Sequence, residues 1–341
     1  MKAQILSLLR ERADYVSGQE LCEHFGVSRT AVWKAVGQLK KEGYVIEAVQ
    51  NRGYRLLEGT EPYREEVYGQ NELVSRMHTA WAGRELHFYE SLGSTNVQAK
   101  QLAESGAAHG ALVVADMQTA GRGRRGRGWV SPAGANIYFT IVLRPDFAPD
   151  KASMLTLVMA YAVSLGVEKT LAAYGREASA LHLGIKWPND IIMNGKKICG
   201  ILTEMSMSVE QDAIQYVVIG VGVNVGQQTF ADELRDKATD IYEECGVRIS
   251  RSCLLADIME AFEESYESFQ KKENLSDIKE AYNRLLVNRD REVRVLDPKG
   301  EYVGVARGVN HMGELLVERT DGSITQVYAG EVSVRGIYGY V

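Results

Sequence analysis

Near the middle of the chain, eight residues alternate arginine and glycine almost strictly: Gly121-Arg122-Gly123-Arg124-Arg125-Gly126-Arg127-Gly128, closed by Trp129. Neither a helix nor a strand suits this run. An interior glycine costs about 0.5–1 kcal/mol in either, the arginines repel one another, and Pro132 and Gly134 follow directly. The run is therefore a loop. The apolar segments on each side, Ala111–Met117 and Asn136–Leu143, read as buried strands. Glycine lets a backbone approach a ligand closely, and arginine supplies fixed charge and forked donors for phosphate. Trp129 adds a flat face for a base. We expect the loop to be poorly ordered alone and ordered by a polyanion. The run also satisfies G-x-G-x-x-G, but a dinucleotide fingerprint must open a helix, and no helical periodicity follows. The flanking buried strands argue against a surface nucleic-acid patch of the RGG type.

The first sixty residues have a different character. Ile5, Leu8 and Leu9 make one apolar helix face, and Leu21 and Phe25 mark a second, short helix. Gly26-Val27 turns the chain, and Ser28 is placed to cap a third helix. Val32, Val36 and Leu39 recur at helical spacing and should be buried, while Arg29, Thr30, Lys34 and Lys41 fall elsewhere on that helix. Gly43 is a stop. Strands over Tyr44–Val49 and Tyr54–Leu57 flank a basic tip at Gln50-Asn51-Arg52-Gly53. This order predicts a winged helix-turn-helix over residues 1–60, with Ser28, Arg29, Thr30, Lys34 and Arg52 as candidate DNA contacts.

Gly59–Tyr63 reads as a linker, and residues 61–84 as linker and lead-in. Over 85–288, helices (near Thr95–Glu104, Ser153–Tyr174 and Ser252–Gln270) are interspersed with strands near Leu183–Trp187, Ile198–Met207 and Tyr216–Val225. Ser94 or Thr95 is the expected cap of the first. Asn194-Gly195 is a hairpin signal. A mixed sheet backed by helices is expected, not a doubly wound parallel sheet. From 289 to 341, turns at Asp297–Gly300, Asn310–Gly313 and Asp321-Gly322 separate short alternating strands, including Glu331–Val334, as in a small SH3-like β-barrel. The fold class is α+β, multidomain.

Composition sets limits. The net charge of −6 excludes a polycation, although residues 1–60 carry 9 Lys+Arg against 7 Asp+Glu. The best candidate for a membrane span, Ser153–Val167, has 15 uncharged residues, short of the ~20 needed to span a bilayer. It reads as a core helix. With no basic-then-apolar start and no C-x-x-C or disulfide pattern among Cys22, Cys199, Cys245 and Cys253, a cytoplasmic protein without membrane attachment is expected. The 6 histidines are scattered, and G-x-S-x-G, H-E-x-x-H and the Walker A lysine are absent, so neither a triad nor a metal cage is expected.

Three further segments carry chemistry. Ser91-Leu92-Gly93-Ser94-Thr95-Asn96 places hydroxyls and an amide at a helix start. Lys186-Trp187-Pro188-Asn189-Asp190 places a point charge at a strand end before a rigid turn. Ile219-Gly220-Val221-Gly222-Val223-Asn224 has glycines inside a strand, a mark of close backbone approach. Gly93–Asn96, Gln118-Thr119-Ala120 leading into the Gly/Arg loop, Ser131-Pro132, Asn136-Ile137-Tyr138, Lys186–Asp190, Lys197–Glu204 and Gly220–Asn224 follow one another as in the biotin protein ligases. The chain resembles that family along essentially its whole length. The N-terminal winged helix is similar to that of its bifunctional type, both ligase and biotin operon repressor.

The resemblance implies a class II synthetase-like ligase domain that uses ATP, biotin and Mg²⁺. It makes biotinyl-5′-adenylate and passes biotin to a lysine of a biotin carboxyl carrier domain. It implies biotin contacts at Ser94, Thr95, Asn96, Gln118, Arg122, Gly123, Arg124 and Lys186. Adenylate contacts would be Gly121, Trp129, Asn189 and Asn224. Lys186, Arg122, Arg124 and Arg127 would neutralise the reacting anions, with metal ligands unspecified. Asp190 is a candidate base for the acceptor amine. Operator DNA is the second partner, bound by a homodimer of the adenylate-loaded chain. A ligase without active repression and a biotin-sensing DNA-binding regulator stay open as alternatives. A lipoate or other acyl ligase is a further relative, one not expected to carry the Gly/Arg loop or the winged helix.

Overall fold

The structure is a computed structural model that describes residues 1–12, 14–57, 66–208, 212–297, 300–329 and 333–336. The expected linker at Gly59–Tyr63, Pro298-Lys299 of the turn at 297–300, and Glu331-Val332 lie outside the described residues. Residues Met1–Met77 and His78–Val341 form two units.

In the first unit, α1 (Lys2–Glu11), α2 (Gly18–Phe25) and α3 (Arg29–Lys41) are followed by a hairpin of β1 (Ile46–Val49) and β2 (Gly53–Leu56). Ile5, Leu9, Leu21, Val32, Val36 and Leu39 meet in one core, as their spacing requires. The Ser17 hydroxyl accepts from Glu20 N to cap α2 (3.0 Å), and Ser28 accepts from Ala31 N to cap α3 (3.3 Å). A further helix, α4 (Gln70–Arg76), packs on α1. Its buried Glu72 takes the Arg10 guanidinium at 2.6 Å and Arg76 Nε at 2.5 Å, a charge compensated on two sides as burial demands. By sequence this segment falls in the lead-in over 61–84. With two apolar residues among its seven, α4 has too short an apolar stripe to stand out.

The second unit contains β3 (Leu86–Leu92), α5 (Thr95–Glu104), β4 (Leu112–Gln118), β5 (Ile137–Leu143), α6 (Leu155–Ala173), β6 (Gly184–Lys186), β7 (Asp190–Met193), β8 (Lys196–Ser208) and β9 (Ala213–Val223). Then come α7 (Ile241–Cys245), α8 (Arg251–Lys272) and α9 (Lys279–Leu285). The seven strands form one mixed sheet in the order β3-β4-β5-β9-β8-β7-β6. Only β3–β4 is parallel, joined by the α5 crossover, while the remaining pairs are antiparallel. Asn194 and Gly195 both take positive φ (46° and 81°), the twist that a tight β7–β8 hairpin needs. Ala99 and Ala103 of α5 pack on Val113, Val142 and Val218 of the sheet.

The expected helix at Ser153–Tyr174 starts later. Pro149–Met154 is a 3₁₀ turn, and α6 begins at Leu155. Pro149–Ala173 is long and apolar enough by composition to cross a membrane. However, α6 buries Leu155, Leu157, Val158, Met159, Val163, Val167 and Leu171 within the fold and packs against α8.

The C-terminal part is a five-stranded antiparallel sheet of SH3-like type: β10 (Glu292–Leu296), β11 (Tyr302–Val309), β12 (Leu315–Glu318), β13 (Ile324–Val327) and β14 (Ser333–Gly336). Its strand order is β13-β12-β11-β10-β14. Buried Trp187 ties it to the large sheet: its indole donates to Gly313 O (3.1 Å), and its backbone N–H donates to Asn288 Oδ1 (2.9 Å) just before β10.

Candidate active site and nucleic-acid interface

The site is built where two parallel strands end together. Beyond the β3–β4 register, Thr119 N donates to Leu92 O (2.9 Å) and Ala120 N to Gly93 O (2.8 Å). These bonds bring Gly93–Asn96 beside Gln118–Ala120. The cap of α5 differs from the one expected. Ser94 holds the N-cap position, but its side chain makes no capping bond. The Gln118 carboxamide oxygen does the work from β4, accepting from Thr95 N (2.8 Å) and Thr95 Oγ1 (3.1 Å). Gln118 Nε2 then donates to Ser131 Oγ (3.0 Å), and that hydroxyl donates to Trp129 O (3.1 Å). One amide thus joins the helix start to the far end of the Gly/Arg loop.

Asn96 is fixed on both sides of its amide. Oδ1 accepts from Thr140 Oγ1 of β5 (2.8 Å). Nδ2 donates to Glu204 Oε2 (2.8 Å) and Leu202 O (3.3 Å) of β8. Lys100 Nζ lies 2.5 Å from the other Glu204 oxygen. Burial raises the Glu204 carboxyl, but hydrogen bonds from Asn96 and Lys100, with the charges of Lys100 and Arg122, outweigh it and hold the group below the usual carboxylate range. Gly220 on β9 leaves the room: a Cβ there would lie 1.8 Å from Asn96 Oδ1.

The Gly/Arg loop is a narrow excursion. Trp129 N donates to Gly121 O (2.9 Å) and Gly123 N to Arg127 O (2.7 Å), with a single 3₁₀ turn at Arg124–Gly126 and no α-helix. Arg124 Nη1 donates to Asn189 Oδ1 (2.9 Å) and Nη2 to Ala329 O (3.1 Å). The Trp129 indole covers bare backbone at Gly222, where a Cβ would stand 2.5 Å from Nε1. That Nε1 is buried without a hydrogen-bond partner among the described residues. Lys197 lies 5.3 Å from the Trp129 ring centre and 2.6 Å from Asp190 Oδ1.

Ser94, Thr95, Asn96, Gln118, Arg122, Gly123, Arg124, Trp129 and Asn189 line one cavity, floored by Gly200, Ile201, Leu202, Gly220, Val221 and Gly222. Gly121, Arg127, Lys186 and Asn224 are not among its lining residues. Lys186, 8 % exposed, sits opposite Asp190 in the β6–β7 register. Asn224 Nδ2 donates to Thr239 O (3.0 Å), which ties the end of β9 to the segment before α7. Sequence reading missed Lys197, Thr140, Ser131 and Glu204 as parts of the site. Thr140 carried the clearest signal, a hydroxyl in the otherwise apolar interior of a strand. Burial pushes the Cys199 thiol well up, so it is not a thiolate nucleophile at neutral pH. No group of three or more His, Cys, Asp or Glu among the described residues could hold a metal ion.

In the first unit, Arg29, Thr30 and Lys34 are exposed on α3, and Gln19 of α2 accepts from Arg29 (3.0 Å). Arg52, at the hairpin tip, lies over the Tyr15 ring at 4.3 Å and reaches Asp14 at 3.4 Å. Cationic side chains therefore project from both a capped helix and the hairpin beside it.

A helix-turn-helix unit followed by a mixed-sheet domain with a cationic, glycine-floored cavity defines a ligase coupled to a DNA-binding module. Residues 88–224 match the biotin/lipoate A/B protein ligase family, residues 2–55 an HTH domain and residues 290–335 the biotin protein ligase C-terminal domain. The chain is 38% identical over 94% of both lengths to the bifunctional ligase/repressor BirA of Bacillus subtilis. It is 29% identical to that of Escherichia coli, over 97% of this chain and 96% of the relative. The biotin protein ligase of Aquifex aeolicus, solved in complex with biotin and ATP, superposes on 74% of this chain and 99% of its own with a TM-score of 0.63 at 29% identity. The chain belongs to the family of bifunctional biotin protein ligases and repressors.

Proposed function

We propose that the chain activates biotin with ATP and transfers it to a lysine of a biotin carboxyl carrier domain. A biotin carboxylate oxygen attacks the α-phosphorus and pyrophosphate leaves. The acceptor amine then attacks the carbonyl of the mixed anhydride, loses a proton, and AMP leaves. The observation that carries this reading is the convergence of four separated segments on one cavity, with Arg122 and Arg124 in its wall. Two anions must meet, so preorganised positive charge is the main catalytic requirement.

We assign Ser94, Thr95, Asn96, Gln118, Arg122, Gly123, Arg124 and Lys186 to biotin. Gly121, Trp129, Asn189 and Asn224 are assigned to the adenylate. Arg122, Arg124, Arg127 and Lys186 offset the charge of the reacting groups. Glycines 200, 220 and 222 leave room on the floor for the Asn96, Lys197 and Trp129 side chains. The unpartnered Trp129 N–H is a donor held ready for a polar ligand atom. Asp190, paired with Lys197 at 2.6 Å, is a candidate to receive the acceptor proton, and the base is otherwise unassigned. Mg²⁺ would reach the site with the triphosphate rather than on a cage of protein carboxylates. When bound, it offsets phosphate charge.

The first unit would bind operator DNA through Ser28, Arg29, Thr30, Lys34 and Arg52 and repress biotin genes. A single copy carries few cations, so affinity depends on pairing two copies on one site. Closing the Gly/Arg loop over biotinyl-adenylate would order it before a second copy arrives, favouring a dimer. The cytoplasm is the expected compartment. Titration of upstream DNA with unloaded, biotin-loaded and adenylate-loaded chain, with sedimentation in parallel, tests the coupling. Tightest binding by an adenylate-loaded dimer supports it. Equal affinity in all three states, or adenylate-enhanced binding by a strict monomer, refutes it.

A further inference from the structure

Helix α3 carries two residues that its own fold does not explain. Val32, Val36 and Leu39 are buried, yet Trp33 is 67 % exposed. A tryptophan left in water forgoes a large burial gain. One turn further, on the same side of the helix, stands the half-buried Gly37. A glycine inside a helix is less stable than alanine. A Cβ at Gly37 would meet nothing within 4 Å, so no neighbour in the protein requires its absence. Thr30, Trp33, Lys34, Gly37 and Lys41 share this face by helical spacing, and α3 contains no acidic residue. The surface is a projecting indole and a bare stretch of backbone within a cationic field. Its charge suits a polyanion whose surface also offers small apolar groups.

We infer that Trp33 packs against thymine 5-methyl groups in the major groove of duplex DNA, and that Gly37 lets α3 sit close enough to reach them. This rests on the DNA-binding reading above and deepens it by naming what the helix recognises. The thymine methyl is the apolar feature the major groove exposes. Arg29, positioned by Gln19, and Lys34 would hold the flanking phosphates and set the helix's register without reading sequence.

The test begins with duplexes selected from a random library by the full-length, adenylate-loaded chain. Each is then made with thymine and with uracil, which differ only in the methyl group. Uracil at the responsive positions is expected to weaken the parent roughly tenfold, within the range of a single mismatched pair, and to leave Trp33→Ala almost indifferent. Gly37→Ala is expected to raise the thermal midpoint while lowering DNA affinity, a combination that a packing role does not give. Equal uracil penalties in parent and Trp33→Ala, or full affinity in Gly37→Ala, overturn the inference while leaving DNA binding intact. Loss of self-association by Trp33→Ala without DNA assigns the indole to a second copy and also overturns it. A parent that selects no duplex refutes the DNA-binding reading itself.

Discussion

The Arg124 guanidinium bridges two distant parts of the chain, donating to Asn189 Oδ1 at 2.9 Å and to Ala329 O at 3.1 Å. The Gly/Arg loop is thus held at its centre by the Lys186–Asp190 turn and by the segment that follows β13. Asn189 in turn donates to Ile201 O (3.2 Å) of the cavity floor. One arginine therefore couples the lid, the floor and the C-terminal domain.

Arg124→Gly removes that tie and one of the cations assigned to biotin and the reacting groups. We expect biotinyl-adenylate to escape before transfer and to acylate bystander lysines. Biotin incorporated into an unrelated added protein measures this. Labelling no faster than with the parent contradicts the retention role.

Lys186→Ala removes a buried charge opposite Asp190 in the β6–β7 hairpin. Adenylate formation should fall by about 100-fold or more, as for loss of one preorganised donor. Single-turnover adenylation of a folded variant is the readout, and an unchanged rate contradicts the assignment.

Gly220→Ala places a methyl 1.8 Å from Asn96 Oδ1, an oxygen that Thr140 holds in place. Overpacking of this kind costs about 1–3 kcal/mol, and here it also displaces an assigned biotin contact. We expect a lower thermal midpoint and at least ~10-fold weaker biotin binding. In the double variant with Asn96→Ala the clash is gone, but Thr140 Oγ1 and Glu204 lose their amide partner, so the midpoint should recover only in part and biotin affinity not at all. Recovery of biotin affinity contradicts a binding role for Asn96.

Glu204 gives a pH dependence with a defined sign. Its folded carboxyl lies below the ordinary value of 4.5. The contribution to stability is therefore present above that value and lost as pH falls through the folded one. The thermal midpoint of the parent relative to Glu204→Gln should be constant near neutrality and narrow below about pH 4.5. A difference that widens as pH falls contradicts this coupling.

Much of this was legible in the sequence because it rests on local rules. Ser28 announces the α3 cap, Asn194-Gly195 the β7–β8 turn, and the Arg/Gly run a loop between buried strands. What escaped is tertiary. Gln118 caps α5 from another strand, and nothing near Ser94 signals that its own side chain is not used. The Glu204–Asn96 contact spans 108 residues, and α4 shows its role only once Arg10 of α1 is beside Glu72. Asn224 is marked by its motif as a site residue, but the bond it gives Thr239 is one that no motif records.

The most direct test incubates the full chain with ATP and labelled biotin, with and without a carrier domain. A parallel incubation replaces biotin with lipoate. The expected result is pyrophosphate release with formation of biotinyl-adenylate in the absence of carrier, then transfer of label to a single carrier lysine with AMP released. Failure of a folded chain to activate biotin, or activation of lipoate in preference to it, would contradict the assignment.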